Sequence, residues 1–381
     1  MKIAYITAGA GGMYCGNCLQ DNTLAATLIR KGHDVTLVPL YTPIRTDEND
    51  VSLDHIFYGG LNVFLQQRIS LFRHTPRLLD RALDSPGLLR WISQFAIDTN
   101  PEFLGALTLS VLEGEEGHQQ KELLRLTEWL SQEPRPQLVH LTNSLLVGLA
   151  RKIKSRVNVP ILCSLQGEDN FLDQIPELHR ERVLAVLRTR AADIDAFIAP
   201  SYNYADHMAA YLGIPRQRIH VVYPGIELEG HGGEKTKPGD VFTIGYMARI
   251  NPDKGLHILV DAFHDLRQSG KLPNCRLRVA GYLSRANHPY IKKIQEKICG
   301  WGLAKDFEYV GSLDRNGKIN FIQGLDVLSV PTTYGAPKGI YMMEAWANGL
   351  PVVEPRHGSF PEFIKASGGG LLFEPGNARD L

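Results

Sequence analysis

The chain has 381 residues, 44% of them apolar and 22% charged, with 41 Lys plus Arg against 41 Asp plus Glu. That length suggests two domains, each able to close its own core, and a formal charge of zero gives no support to bulk nucleic-acid or membrane-surface binding. No apolar run approaches the ~18–20 residues of a membrane span, and the apolar start is too short for a secretory leader, so a cytoplasmic location is expected.

Short β-branched runs alternate with amphipathic helical patterns, which predicts parallel sheets wrapped by helices. Met1–Thr7 reads as a strand, Gly9–Gly16 as a glycine-rich loop, Asn17–Lys31 as a helix stopped by Gly32, and Val35–Leu40 as the next strand. From Tyr41 to about Ser131 the pattern loosens. Arg77–Leu83 and Lys121–Leu130 look helical there, Pro76, Pro86 and Pro101 look like breaks, and the whole insertion reads as active-site cover. Strands follow at Gln137–Leu141, Pro160–Leu165, Ala196–Pro200 and Ile219–Tyr223, with helices at Ser144–Ser155, Glu177–Ala192 and Tyr202–Leu212. The glycine- and charge-rich stretch 229–239 reads as a linker between a domain at 1–228 and a second at 240–381. In the second domain strands at Phe242–Ala248, Arg276–Gly281, Phe307–Val310, Val327–Pro331 and Pro351–Glu354 alternate with helices at Leu256–Ser269, Pro289–Trp301, Lys318–Gly324 and Gly339–Asn348. Ligands of such open sheets sit beyond the carboxyl ends of the strands.

Three stretches could carry chemistry. The loop Thr7-Ala-Gly-Ala-Gly-Gly-Met-Tyr-Cys-Gly-Asn17 opens a helix, so its amides could hold a phosphate or sugar, or it could simply be a tight turn. It matches neither a dinucleotide fingerprint nor a Walker loop. Arg249 and Lys254 lie five apart across a strand-to-helix turn and could neutralise a diphosphate, although two surface cations would look the same. Tyr334-Gly-Ala-Pro-Lys-Gly-Ile-Tyr-Met-Met-Glu344 runs into a helix whose first amides can hold phosphate or sugar hydroxyls, and Glu344 could accept from two hydroxyls such as those of a ribose. Cys15 and Cys18 form a C-x-x-C pattern, but no second pair follows at zinc spacing. The five cysteines read as reduced structural thiols, with redox or metal roles as the alternative.

Taken together and in this order, these stretches resemble the family 4 retaining glycosyltransferases (glycosyl transferases group 1) with the GT-B fold, over nearly the whole chain and most strongly from Val221 to Phe373. The resemblance implies two Rossmann-like domains facing across a cleft, with the acceptor side in the first and the donor nucleotide in the second. It implies that Arg249 and Lys254 bind the donor diphosphate and that Glu344, ahead of Ala347-Asn-Gly-Leu-Pro-Val352, holds the ribose. Lys338, Gly339, Ile340, Tyr341 and Met342 would lie along the sugar and distal phosphate, and Gly11 and Gly12 would close the donor site from the first domain. Val222-Tyr-Pro-Gly-Ile226 resembles the family's hinge. The activity implied is transfer of a hexose from a nucleoside-diphosphate sugar to a carbohydrate, lipid or small-molecule acceptor with retention, without cofactor or metal. Nucleic acid is excluded as a partner and peripheral membrane contact is admitted.

The chain departs from the pattern at three places. Eight residues before Glu344 the family has a glutamate and this chain has Ala336. Gln166 stands where many members have a histidine; with Asp169 and His140 it is a candidate for contact with sugar or acceptor, and glutamine cannot carry a proton near neutral pH. The chain also ends at Leu381, where members continue into further helices. These departures raise a second reading, a nucleotide-sugar-binding homologue of weak or no activity. A nicotinamide oxidoreductase would need an acid where Leu40-Tyr-Thr-Pro43 stands. His220, His257 and His264 read as surface or packing residues, and no histidine cluster has metal spacing. The insertion, with Tyr58-Gly-Gly60 and several arginines, is expected to shape acceptor choice.

Overall fold

The computed structural model describes residues 1–9, 16–59, 63, 66–67, 101–133, 135–233 and 241–381. Gly11, Gly12 and Cys15, the helical segment expected at Arg77–Leu83, and linker residues 234–239 lie outside them. The chain divides into two compact units, Met1–Tyr223 and Pro224–Leu381.

The first unit is built on six parallel strands in the order β2-β1-β3-β4-β5-β6. They are β1 (Lys2–Thr7), β2 (Asp34–Pro39), β3 (Leu138–Leu141), β4 (Ile161–Ser164), β5 (Ala196–Ala199) and β6 (Ile219–Val221). Ala4, Ile6, Val139, Leu141, Ile161 and Cys163 are buried in one apolar cluster, as expected of strands covered by helices on both faces. The chain goes from β1 outward to β2, then returns to β3 on the other side of β1, so the strand order reverses between β1 and β3. The second unit repeats the plan in the order β12-β11-β10-β7-β8-β9, with β7 (Phe242–Met247), β8 (Cys275–Ala280), β9 (Phe307–Gly311), β10 (Val327–Leu328), β11 (Val352–Pro355) and β12 (Gly370–Phe373). Here the order reverses between β7 and β10.

The structure corrects the sequence at several points. Pro101 is the first residue of the described helix Pro101–Glu113, where a first-turn proline loses no backbone bond. The helix expected at Ser144–Ser155 is a 3₁₀ turn, Ser144–Leu149, followed by an α-helix, Ala150–Val157. In that turn Gly148 passes so close to the helix Pro101–Glu113 that a Cβ would lie 2.3 Å from Val111 O. A helix at Phe360–Ser367 and strand β12 are present where none was predicted. Among the described residues no helix is long and apolar enough to cross a membrane.

Candidate active site

In the second unit the switch point brings the loops after β7 and β10 against each other. Gly255 has φ 71° and packs on Pro331; an added Cβ would sit 1.7 Å from Pro331 O. Thr333 N donates to Asp253 O at 3.0 Å. Lys254, half-buried on the first loop, donates from Nζ to Tyr334 Oη at 2.6 Å on the second. Arg249 is exposed at the start of its loop, whose backbone is fixed by Tyr246 Oη donating to Arg249 O at 3.1 Å. The structure therefore couples Lys254 to the segment leading into Glu344, a link that spacing did not reveal.

That segment becomes the helix Ile340–Ala347, with Gly339 as its N-cap. Met342 N returns to Gly339 O at 3.0 Å, and Tyr341 Oη donates to the buried Glu354 of β11 at 2.8 Å. Burial raises the Glu354 carboxyl well above its ordinary range, against the opposing hydrogen bond from Tyr341. Glu344 is buried and forms an ion pair with Lys318 of the helix Arg315–Gln323. Asn348 Nδ2 donates to Glu344 O at 2.8 Å, and Gln323 Nε2 reaches Asn348 Oδ1 at 3.4 Å. Lys338 is half-buried beside Gly339.

Ala336 is 2% exposed and belongs to the apolar cluster of Met247, Met342, Ala345 and Phe360. Its backbone is tightly engaged: Ser359 N donates to Ala336 O at 3.0 Å, and a Cβ on Gly358 would lie 2.7 Å from Ala336 N and O. Burying a carboxylate there without partners would be costly, so the alanine fits its surroundings.

The first unit carries a second polar assembly, around Asp21. Sequence reading missed this residue, although it falls between Cys18 and Ala25 on the buried side of its helix, where a charge is a signal in itself. Asp21 accepts from Tyr5 Oη (2.6 Å), Thr7 Oγ1 (2.6 Å), Thr142 Oγ1 (2.6 Å) and Gln166 Nε2 (2.9 Å). Thr7 ends β1 and Thr142 follows β3, so Asp21 spans the switch point of this sheet. Gln166 Nε2 also donates to Thr142 O at 2.9 Å, and Gln166 N donates to Glu168 Oε2 at 2.6 Å. The Gln166 amide thus turns its nitrogen toward Asp21.

His140 lies in the sheet. Its ring stacks on Tyr5 at 4.3 Å, Nε2 meets Ser164 Oγ at 2.8 Å, and burial lowers it to about 4, so it is neutral near pH 7. Asp169 accepts from Tyr204 Oη at 2.6 Å and pairs with His207 Nε2 at 3.0 Å. Burial pushes the Asp169 carboxyl up, but the hydrogen bonds from His207 and Tyr204 outweigh it and leave it below the usual range. His207 is raised in turn, chiefly by its hydrogen bond to Asp169. Among the described residues no group of three His, Cys, Asp or Glu side chains is placed to hold a metal.

The model of the family described as glycosyl transferases group 1 matches residues 232–381, and that of glycosyltransferase family 4 matches residues 110–229. The chain belongs to this family. An Escherichia coli protein named as a colanic acid biosynthesis glycosyltransferase, WcaL, is 28% identical over 176 residues, covering 45% of this chain and 42% of its own length. The D-inositol 3-phosphate glycosyltransferase of Mycolicibacterium smegmatis is 25% identical over 190 residues, 48% of this chain and 42% of its own. The matches thus span less than half the length of these curated relatives. HepE of Anabaena, solved in complex with UDP and glucose, aligns over 100% of this chain and 87% of its own, with a TM-score of 0.67 at 17% identity. Sucrose-phosphate synthase of Thermosynechococcus elongatus aligns over the same shares, 100% and 87%, with a TM-score of 0.70 at 16% identity. At such identities the likeness speaks for the fold: the two Rossmann-like sheets are those of GT-B.

Proposed function

We propose that this chain transfers a hexose from a nucleoside-diphosphate sugar to an acceptor with retention at the anomeric carbon. The observation that carries the reading is the joining of Lys254 to the loop of the Gly339-capped helix, at the switch point of the second sheet and ahead of a buried Glu344. As the bond from the anomeric carbon to the diphosphate breaks, negative charge builds on the leaving oxygen. In this reading Lys254 and Arg249 stabilise it, and the first amides of the helix, from Gly339 to Met342, add aligned dipoles. Lys338 borders the same helix end. Glu344, acceptor-only as a carboxylate, takes the ribose hydroxyls. Cationic groups and helix dipole together make a bound metal unnecessary in this reading.

The first unit receives the acceptor in this proposal. Gln166, oriented by Asp21, and Asp169, held by Tyr204 and His207, are the polar groups offered to sugar or acceptor, while His140 supports Tyr5 from within. Gly11 and Gly12 contact the donor. HepE was solved with UDP and glucose, and WcaL and the Erwinia amylovora protein AmsK are named for colanic acid and amylovoran biosynthesis, which supports a role for this chain in carbohydrate assembly. A lipid-linked acceptor would bring the chain to a membrane surface.

The test is a thermal-shift screen of UDP-, GDP- and ADP-sugars, followed by assay of the responding donor for release of nucleoside diphosphate. A ligand-specific rise in Tm with turnover is expected; no response to any of the three overturns the proposal. One observation favours a second reading, a homologue that binds but does not transfer: Ala336 offers no carboxylate where the family has one. Donor cleavage by the wild-type chain excludes it.

A further inference from the structure

The Lys318–Glu344 pair is not explained by the family resemblance. Both side chains are largely withdrawn from solvent, 13% exposed for Lys318 and 7% for Glu344. A lone carboxylate at that depth would be an uncompensated charge, and an ammonium beside it is the direct remedy. The two helices that carry the pair are also tied one turn further on, where Gln323 reaches Asn348 and Asn348 holds the Glu344 carbonyl. The helix of Lys318 is itself anchored, with Asp314 Oδ1 accepting from Gly317 N at 2.8 Å and Arg315 donating to the carbonyl oxygens of Glu227 and Glu229 at 3.0 and 2.7 Å. Lys318 therefore reaches Glu344 from a fixed support.

We propose that Lys318 and Glu344 form one ribose-reading unit, in which Glu344 accepts from the hydroxyls and Lys318 sets the preference for ribo- over 2′-deoxyribonucleotide donors. This rests on the reading that Glu344 holds the donor ribose. A hydroxyl is both donor and acceptor. The carboxylate accepts the hydrogen bond that the hydroxyl donates, and the ammonium, within reach of the same carboxylate, donates to the hydroxyl oxygen. A ligand without the 2′-hydroxyl leaves part of that array unanswered, and unanswered buried polar groups are where discrimination is large. Lys318 is thus a positioning and specificity residue and takes no part in bond breaking.

The experiment measures binding to the full chain of whichever of UDP, GDP and ADP raises Tm most, against its 2′-deoxy counterpart. The wild type should prefer the ribonucleotide by about 10-fold or more, as befits a hydrogen bond to a charged group. Lys318→Met and Glu344→Gln should each bring the preference to within about 2-fold, and Lys318→Arg should keep most of it. Because Lys318→Met removes the ammonium paired with a buried carboxylate and could unfold the chain, the double variant Lys318→Met/Glu344→Gln is measured too. It carries neither charge, should fold, and should show no further loss beyond either single change. If Glu344→Gln removes the preference while Lys318→Met keeps it and only lowers Tm, Lys318 is a structural tie and the proposal is overturned. A wild-type preference in Glu344→Gln sinks instead the ribose assignment on which it rests.

Discussion

Lys254 is the cation on which the proposed chemistry converges, and its environment makes a separable prediction. Lys254→Ala should slow donor turnover by about 100-fold or more while leaving Tm almost unchanged, since a half-buried ammonium contributes little to folding. Tyr334→Phe removes only the 2.6 Å contact to Nζ and should cost turnover about 3- to 10-fold. Its neighbour Gly255 behaves in the opposite way. With φ 71° and Pro331 O 1.7 Å from any Cβ, Gly255→Ala should destabilise the fold by about 2–4 kcal/mol in urea melts. His140 gives a pH signature. Its folded value is about 4 against 6.5 in the unfolded chain, so as the pH falls the unfolded state takes the proton first. The stability it provides is complete above pH 6.5 and is lost on acidification towards 4, roughly 3 kcal/mol in all. Guanidinium melts at pH 7.5 and 4.5 should show that loss, and His140→Gln should flatten it. The Asp169–His207 pair has two limits. The Asp169 contribution goes as pH drops through its lowered value, and the His207 contribution goes as pH rises through its raised one.

At the start of the helix Ile340–Ala347 the proposed donor contact and the packing of the core meet in one residue. A Cβ at Gly339 would meet Met342 Sδ at 2.6 Å, Met342 Cγ at 3.1 Å and Phe360 Cε1 at 3.2 Å, and both of these side chains are fully buried in one apolar cluster. Gly339→Ala should therefore destabilise the fold by about 1–3 kcal/mol through overpacking and also lower donor affinity about 10-fold by covering the helix end, as paired melting and titration would show. The strands and helices around this site were legible in the sequence because parallel, doubly covered strands write continuous β-branched runs, and because glycines and caps mark the helix ends. Tyr202–Leu212 falls where the periodicity puts it. What was illegible is instructive. Pro101 reads as a break or as a helix start depending on what precedes it. The Lys318–Glu344 pair joins two helices whose separation only the fold sets, and a lysine on a polar helix carries no mark of its partner. Asp21 could have been found, because a charge on a buried stripe asks for donors, but the identity of those donors depends on strand order.

At the scale of the whole chain, the proposed division of labour places nucleotide recognition in Pro224–Leu381 and the acceptor in Met1–Tyr223. Hydrogen exchange on the full chain with and without nucleoside diphosphate should show protection concentrated at 249–255 and 331–345, with β3 and β4 little changed. Equal protection of both units would contradict the division.

The Asp21 assembly also bears on how the first unit folds. Its four donors come from positions 5, 7, 142 and 166, so the node closes only when chain segments up to 145 residues apart have met. Contacts of such long range are entropically expensive to close and tend to form after the barrier to folding is crossed. Asp21→Asn should then speed unfolding far more than it slows refolding, which would make this carboxylate a clasp on the native lifetime of the domain, set after its architecture has been chosen.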